Sequence, residues 1–195
     1  PESAGPRRAK PARQRASRPR AEAEELPNGL KIAVIPRPGP GRAHARLYSS
    51  GGLCALSKSE RGAYPLAAVS ALRDTSEKSF REISEFAENN AISFYSEFSD
   101  SSASLCADAL PEDLPGALGL LSGAALDFKI RPETFEAERR AFFGRHPLSS
   151  NPDGEAEALK AASARLAERI LKKTFSAESC ALVVVGDFDP REVLA

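Results

Sequence analysis

The spacing of apolar positions changes several times along the chain, and each change marks an element. L-P-N-G-L-K-I-A-V-I-P, Leu26 to Pro36, sets a Pro-Asn-Gly turn ahead of a β-rich run and predicts a strand. A-R-L-Y-S-S-G-G, from Ala45, alternates as a second strand would. Arg61 to Leu72 is apolar at helical spacing, with Pro65 early in it. Thr75 or Ser76 can cap a following helix, roughly Ser79 to Glu88, with Phe80, Ile83 and Phe86 on one face. Asn89-Asn90 is a stop signal, because Asn tolerates a left-handed conformation. Ile92 to Phe98 and Ala103 to Ala109 alternate like two antiparallel strands joined at Ser99-Asp100-Ser101. Pro111 opens a helix to about Phe128 with Leu114, Leu118, Leu121 and Ala125 as its stripe, and Pro132 sits in the first turn of the next. After the loop H-P-L-S-S-N-P-D-G, Glu155 to about Lys173 reads as one long Ala-rich helix, and Cys180 to Asp187 as a buried strand ending in a turn.

The order β-β-α-α-β-β-α-α-α-β predicts an α+β fold: a mixed, mostly antiparallel sheet with helices packed on one face. Residues 26–195 then form one domain, and residues 1–25 a disordered, Pro/Arg-rich leader. Net charge is zero but uneven: residues 1–20 hold seven basic side chains and one acidic, the remainder 20 basic and 26 acidic. Such a tail can tether a chain to nucleic acid or a membrane surface. It has no aromatic residue to stack on bases and no apolar face, so nucleic acid is not the expected partner. Pro6, Pro11 and Pro19 break the amphipathic helix that a mitochondrial transit peptide needs. No apolar run approaches the roughly 18 residues of a membrane span. The chain has no Met, which reads as a processed or engineered form from which a signal peptide could be missing.

Chemistry-bearing residues are sparse. Cys54, Cys106 and Cys180 lack C-x-x-C spacing and read as three buried free thiols, with one disulfide plus a thiol as the alternative. His44 and His146 are the two histidines; their spacing builds no metal site, and they read as surface or loop residues. G-x-S-x-G is absent, and Val185-Gly186-Asp187 is not followed by the glycine-rich loop of a nucleotide site.

Five phrases in order carry a resemblance. They are L-P-N-G-L-K-I; the strand before Gly51-Gly52; L-P-E-D-L-P-G-A-L-G-L-L, Leu110 to Leu121; R-P-E-T-F-E-A-E-R-R; and V-V-V-G-D-F-D-P, Val183 to Pro190. Together, over residues 26–195, they resemble the insulinase/pitrilysin family of metallopeptidases, the inverzincins. In active members the segment matching G-A-Y-P-L-A-A-V, Gly62 to Val69, reads G-x-x-H-x-x-E-H: two His bind zinc, and the Glu activates the metal-bound water. Aligned on Gly62 and Thr75, the His positions here are Pro65 and Val69, and the general-base position is Ala68. Aligned on Glu138-Arg139, the third ligand, a Glu in the family, falls at Arg145, or at His146 in a register one residue later. Pro, Ala and Val side chains offer no lone pair, and Arg brings a positive charge to the ion's position.

The resemblance therefore implies a pseudo-peptidase without zinc. The family's Gly pair before the central hairpin is Asn89-Asn90 here, and the segment that members usually insert before the H-P loop is missing. A family half-molecule carries two such units, so this chain resembles one quarter of a clamshell, with the second unit absent or supplied by another chain. The implied role is that of a partner or scaffold subunit, in a homo- or hetero-oligomer with another insulinase-like chain, as in the purely structural core subunits of the cytochrome bc1 complex. The compartment implied is a bacterial periplasm or envelope before a mitochondrion. Members also bind extended peptides along a sheet edge. Here that edge is Ile92 to Phe98, with Ile92, Ser93, Phe94, Tyr95 and Ser96 as candidate contacts, and it implies a stand-alone peptide-binding module as a second reading.

Overall fold

The computed structural model describes residues 21–39, 41–145 and 155–194. The basic segment 1–20, His146 and the rest of the H-P loop lie outside them. The strands are β1 (Glu22–Glu25), β2 (Lys31–Pro36), β3 (Ala43–Ser49), β4 (Ser93–Phe98), β5 (Ala103–Ala109) and β6 (Cys180–Gly186). The helices are α1 (Lys58–Arg61), α2 (Tyr64–Ser70), α3 (Phe80–Asn89), α4 (Leu114–Leu126), α5 (Pro132–Arg145), α6 (Glu155–Lys160), α7 (Ala164–Thr174) and α8 (Pro190–Leu194).

The α+β expectation holds. One mixed sheet runs in the order β1-β2-β6-β3-β5-β4, and its one parallel pair among the described strands is β2 with β6. Alternation sorts its two faces. Ala43, Ala45, Leu47 and Ser49 are buried, while His44, Arg46 and Tyr48 between them are exposed. The buried rows continue through Val34, Val184, Leu105 and Ala107 into the helical layer, where Ala117, Leu121, Ile170 and Leu171 are almost fully buried. On the outer face His44 Nδ1 lies 2.7 Å from Asp108 Oδ1, and Arg46 pairs with Glu97.

Several boundaries differ from the sequence reading. Residues 22–25 form a strand rather than part of a disordered leader, because the Pro-Asn-Gly turn closes a hairpin. Leu26 N donates to Leu30 O, Gly29 takes φ 86°, and Leu30 N donates to Asn28 Oδ1, so the segment before the turn is carried back along β2. The long C-terminal helix divides into α6 and α7, since Ser163 takes an extended conformation and its Oγ accepts from Leu166 N. Ser79, not Thr75 or Ser76, caps α3 in a capping box with Glu82. The chain after β6 forms the short helix α8 beyond its turn. Cys106 and Cys180 are buried, but Cys54 is exposed in a single 3₁₀ turn beside Gly52.

Gly52 is set by contact. A Cβ there would meet Ser102 N at 2.4 Å and Asp100 O at 2.6 Å, since this loop lies against the β4–β5 hairpin tip. Cys54 N donates to Asp100 O, fixing that approach. Below it, Tyr64, Phe98, Phe175 and Phe128 form a chain of ring contacts 5.5 to 6.0 Å apart that joins α2 to the end of α7.

At the end of α3 the left-handed residue is Ala91 (φ 49°), not Asn89 or Asn90. Ile92 N donates to Ala87 O and Ala91 N to Glu88 O, the two bonds of a Schellman motif, and Asn90 Nδ2 donates to Phe86 O. A Cβ in this conformation costs about 1 kcal/mol. Ala91→Gly is expected to raise stability by roughly 0.5–1 kcal/mol in urea titration.

Glu60 ties α1 to α7. Its carboxylate accepts from Ser57 Oγ at 2.7 Å and Ser57 N at 2.9 Å, and lies 3.2 Å from Lys173 Nζ. The Ser57 hydroxyl first, then the Ser57 amide, and then Lys173, acting against desolvation, hold this carboxyl at about 2. A carboxylate depressed by folding stabilises the fold above its unfolded pKa, and that contribution is lost as pH falls from the ordinary carboxylate range toward about 2. Urea titrations at stepped pH should therefore show a smaller acid loss in Glu60→Gln than in the unmodified chain across that window.

Candidate functional site

A cleft of about 390 Å³ opens where α2, α3, α5 and β4 meet. Its floor is apolar, with Ala68, Val69, Leu72, Ile83 and Phe94 among its lining residues. Four charged side chains enter it: Arg73 from the turn after α2, Glu88 from the last turn of α3, and Glu138 and Arg145 from α5.

Most of the residues singled out in the sequence come together here. Ala68, Val69 and Arg145 line the cleft, as do Ile92, Phe94, Tyr95 and Ser96. Pro65 does not line it; it occupies the first turn of α2, where a missing N–H costs nothing. Ser93 does not line it either. His146 lies outside the described residues. His44 is on the opposite face of the sheet, paired with Asp108. Among the described residues, no three His, Cys, Asp or Glu side chains are grouped to hold a metal ion.

The wall of the cleft is an edge of the sheet. β4 is the terminal strand and pairs with β5 alone. Ser99 N donates to Ser102 O across the hairpin, making that pair a hydrogen-bonded one. Antiparallel pairs alternate, so Ser93, Tyr95 and Glu97 turn their backbone groups toward β5. Phe94, Ser96 and Phe98 turn theirs outward. The outward groups of Phe94 and Ser96 therefore sit on residues that also line the cleft.

Sequence reasoning missed Arg73, Phe80 and Glu138 as parts of this site. Arg73 Nε lies 2.9 Å from Glu138 Oε1, outside hydrogen-bond geometry, and the guanidinium stands 4.4 Å over the Phe80 ring. The available signal was spacing: Val69, Leu72 and Arg73 recur at i, i+3 and i+4. By contrast, Arg145 makes a 3.2 Å bond from Nε to Ala141 O of its own helix. Burial first, then Asp108, raises the Tyr95 phenol above its ordinary value.

Asp74, 3% exposed, sets the frame. Its Oδ1 accepts from Phe80 N at 3.0 Å and from Arg131 Nη1 at 2.7 Å, and its Oδ2 from Arg131 N at 3.2 Å. One buried carboxylate thus joins the end of the α2 segment to the starts of α3 and α5, the helices that flank the cleft.

Solved structures share this fold. A protease from Helicobacter pylori superposes with a TM-score of 0.79 at 13% identity, covering 91% of this chain and 49% of its own. The first half of the periplasmic protease PqqL from Escherichia coli gives 0.75 at 15%, covering 90% and 44%. An M16-like peptidase from Alicyclobacillus acidocaldarius gives 0.74 at 15%, covering 92% and 48%. The chain spans about half or less of these proteins, and its fold is that of insulinase/pitrilysin-type, M16-like peptidase domains. No family model and no curated protein sequence matches the chain.

Arg131 keeps 33% of its side chain exposed, so the cost of losing Asp74 lies mainly in the buried donors it leaves without an acceptor, about 1–3 kcal/mol. Asp74→Ala should cost an amount of that order in urea titration, and hydrogen exchange should show the starts of α3 and α5 loosened before the β3–β6 pair.

Proposed function

We propose that the chain is a non-catalytic homologue of insulinase-type peptidases, a partner or scaffold subunit whose cleft holds extended peptide without cutting it. The observation that carries this reading is the convergence of Ala68, Val69 and Arg145 on one cleft beside the outer edge of β4. On the resemblance, these are the positions of the general base, a zinc-binding His and, unless the register places it at His146, the third ligand. The first two now bear hydrocarbon and the last a guanidinium.

The residues present do not fit zinc. Val69 and Pro65 have no donor atom, Arg145 repels a dication, and the cleft's Glu138 faces Arg73. Nothing stands at Ala68 to take a proton from water. What remains is binding: an apolar floor, and backbone donors and acceptors on β4 that need no particular side chain. Those outward groups also support the second reading, a stand-alone peptide-binding module. The bacterial periplasm or envelope is the compartment we propose, supported by a neighbour described as a periplasmic protease.

The test uses purified chain, zinc analysis and fluorogenic peptides. The metal content should be negligible, and cleavage absent with or without a zinc chelator. The triple variant Pro65→His, Ala68→Glu, Val69→His should stay inactive, because Arg145 still occupies the third-ligand position. Cleavage by the unmodified chain that a chelator abolishes would overturn the reading. Co-purification with a chain carrying an intact H-x-x-E-H separates the partner role from the stand-alone one, which instead shows peptide affinity without any second chain.

A further inference from the structure

We propose that the cleft reads negative charge: Arg145 pairs with a side-chain carboxylate of an extended acidic peptide whose backbone runs along β4. This rests on the peptide-holding reading above and adds the class of peptide.

The argument starts from which charges in the cleft are matched. Arg73 faces Glu138 at 2.9 Å and stacks on Phe80, so its charge is already answered within the protein. Arg145 is exposed, its described bond goes to a carbonyl of its own helix, and among the described residues no carboxylate lies within ion-pair distance of it. Glu88, from the C-terminal turn of α3, lines the same cleft, but among the described residues it forms no ion pair with Arg145. A guanidinium presents a planar fork of donors that matches a carboxylate, and a partly apolar wall strengthens the pair by keeping water from one side.

The second part is direction. A chain added to β4 bonds to the outward groups of Phe94 and Ser96, and alternation sends every other ligand side chain toward the cleft floor. One of these meets Val69, Leu72 and Ile83, which take an aliphatic group. We take the ligand to run past both alternate outward positions, Phe94 and Ser96, and so through the cleft. On that path the carboxylate at Arg145 is a side chain of Asp or Glu, and the amidated peptides below test it without a terminal carboxylate.

The test is fluorescence anisotropy on the full chain with labelled nonapeptides of alternating Thr and Val. They are amidated at the C-terminus and carry Glu, Gln or Lys at the centre. The Glu peptide should bind about two- to fivefold tighter than the Gln peptide, as an exposed ion pair gives, and the Lys peptide weakest. The margin should shrink as salt rises. Arg145→Gln should erase the Glu preference and leave the Gln-peptide affinity in place. Ser96→Pro removes an outward N–H without touching the β5 ladder, and should weaken all three peptides alike. Circular dichroism of both variants should match the unmodified chain. Equal binding of the Glu and Gln peptides overturns the charge reading and leaves peptide holding intact. A Glu preference that survives Arg145→Gln overturns the assignment to Arg145. Absence of binding by all three peptides overturns both this inference and the reading beneath it.

Discussion

The cleft depends on one buried carboxylate. Asp74 accepts three bonds, two from backbone amides and one from the Arg131 guanidinium, and these fix where α3 and α5 begin. Both helices then line the cleft, one bringing Ile83 and Glu88 and the other Glu138 and Arg145. A buried carboxylate is tolerated only with its acceptor sites filled, so this arrangement locks two helix starts together. The side chains of the cleft come from four elements, α2 with its following turn, α3, β4 and α5, and that lock sets where two of them begin.

Much of the fold was legible in the sequence. Alternation in Ala103–Ala109, the capping residues and the proline positions marked strands and helix starts, and these signals are local. What escaped was set by tertiary contact or by competition among equal signals. Ser163 is a modest cap inside an Ala-rich run, and the composition hid the break between α6 and α7. The acidic run Glu22–Glu25 has low strand propensity and is ordered by the turn that follows it. At Ala91 the chain takes a left-handed turn with a residue poorly suited to it, although two Asn stand just before. The Schellman bonds to Ala87 and Glu88 decide the position, not the side chain.

The candidate positions came from the resemblance, since composition and spacing alone offered no cluster of chemistry-bearing residues. It identified Ala68, Val69 and Arg145, which the fold then brings to one cleft with β4. Arg73 and Glu138 were hidden because their meaning lies in a pair formed between α2's end and α5, 65 positions apart in sequence. Pro65 fell outside the cleft for a local reason, since a proline in the first turn of a helix serves the backbone. Among the described residues no three metal-binding side chains are grouped, and the cleft has an apolar floor, a guanidinium and two outward-facing backbone positions. The proposed role of the cleft, to hold a chain without cutting it, starts from that inventory.

The most direct test of that account is amide hydrogen exchange by NMR with an extended peptide added to the intact chain. In the free protein the N–H groups of Tyr95 and Glu97, which face β5, should exchange slowly, and those of Phe94 and Ser96 quickly. On addition of peptide, Phe94 and Ser96 should become protected while the peptide's own resonances show it uncut. Unchanged exchange at Phe94 and Ser96 with saturating peptide, or the appearance of peptide fragments, would contradict it.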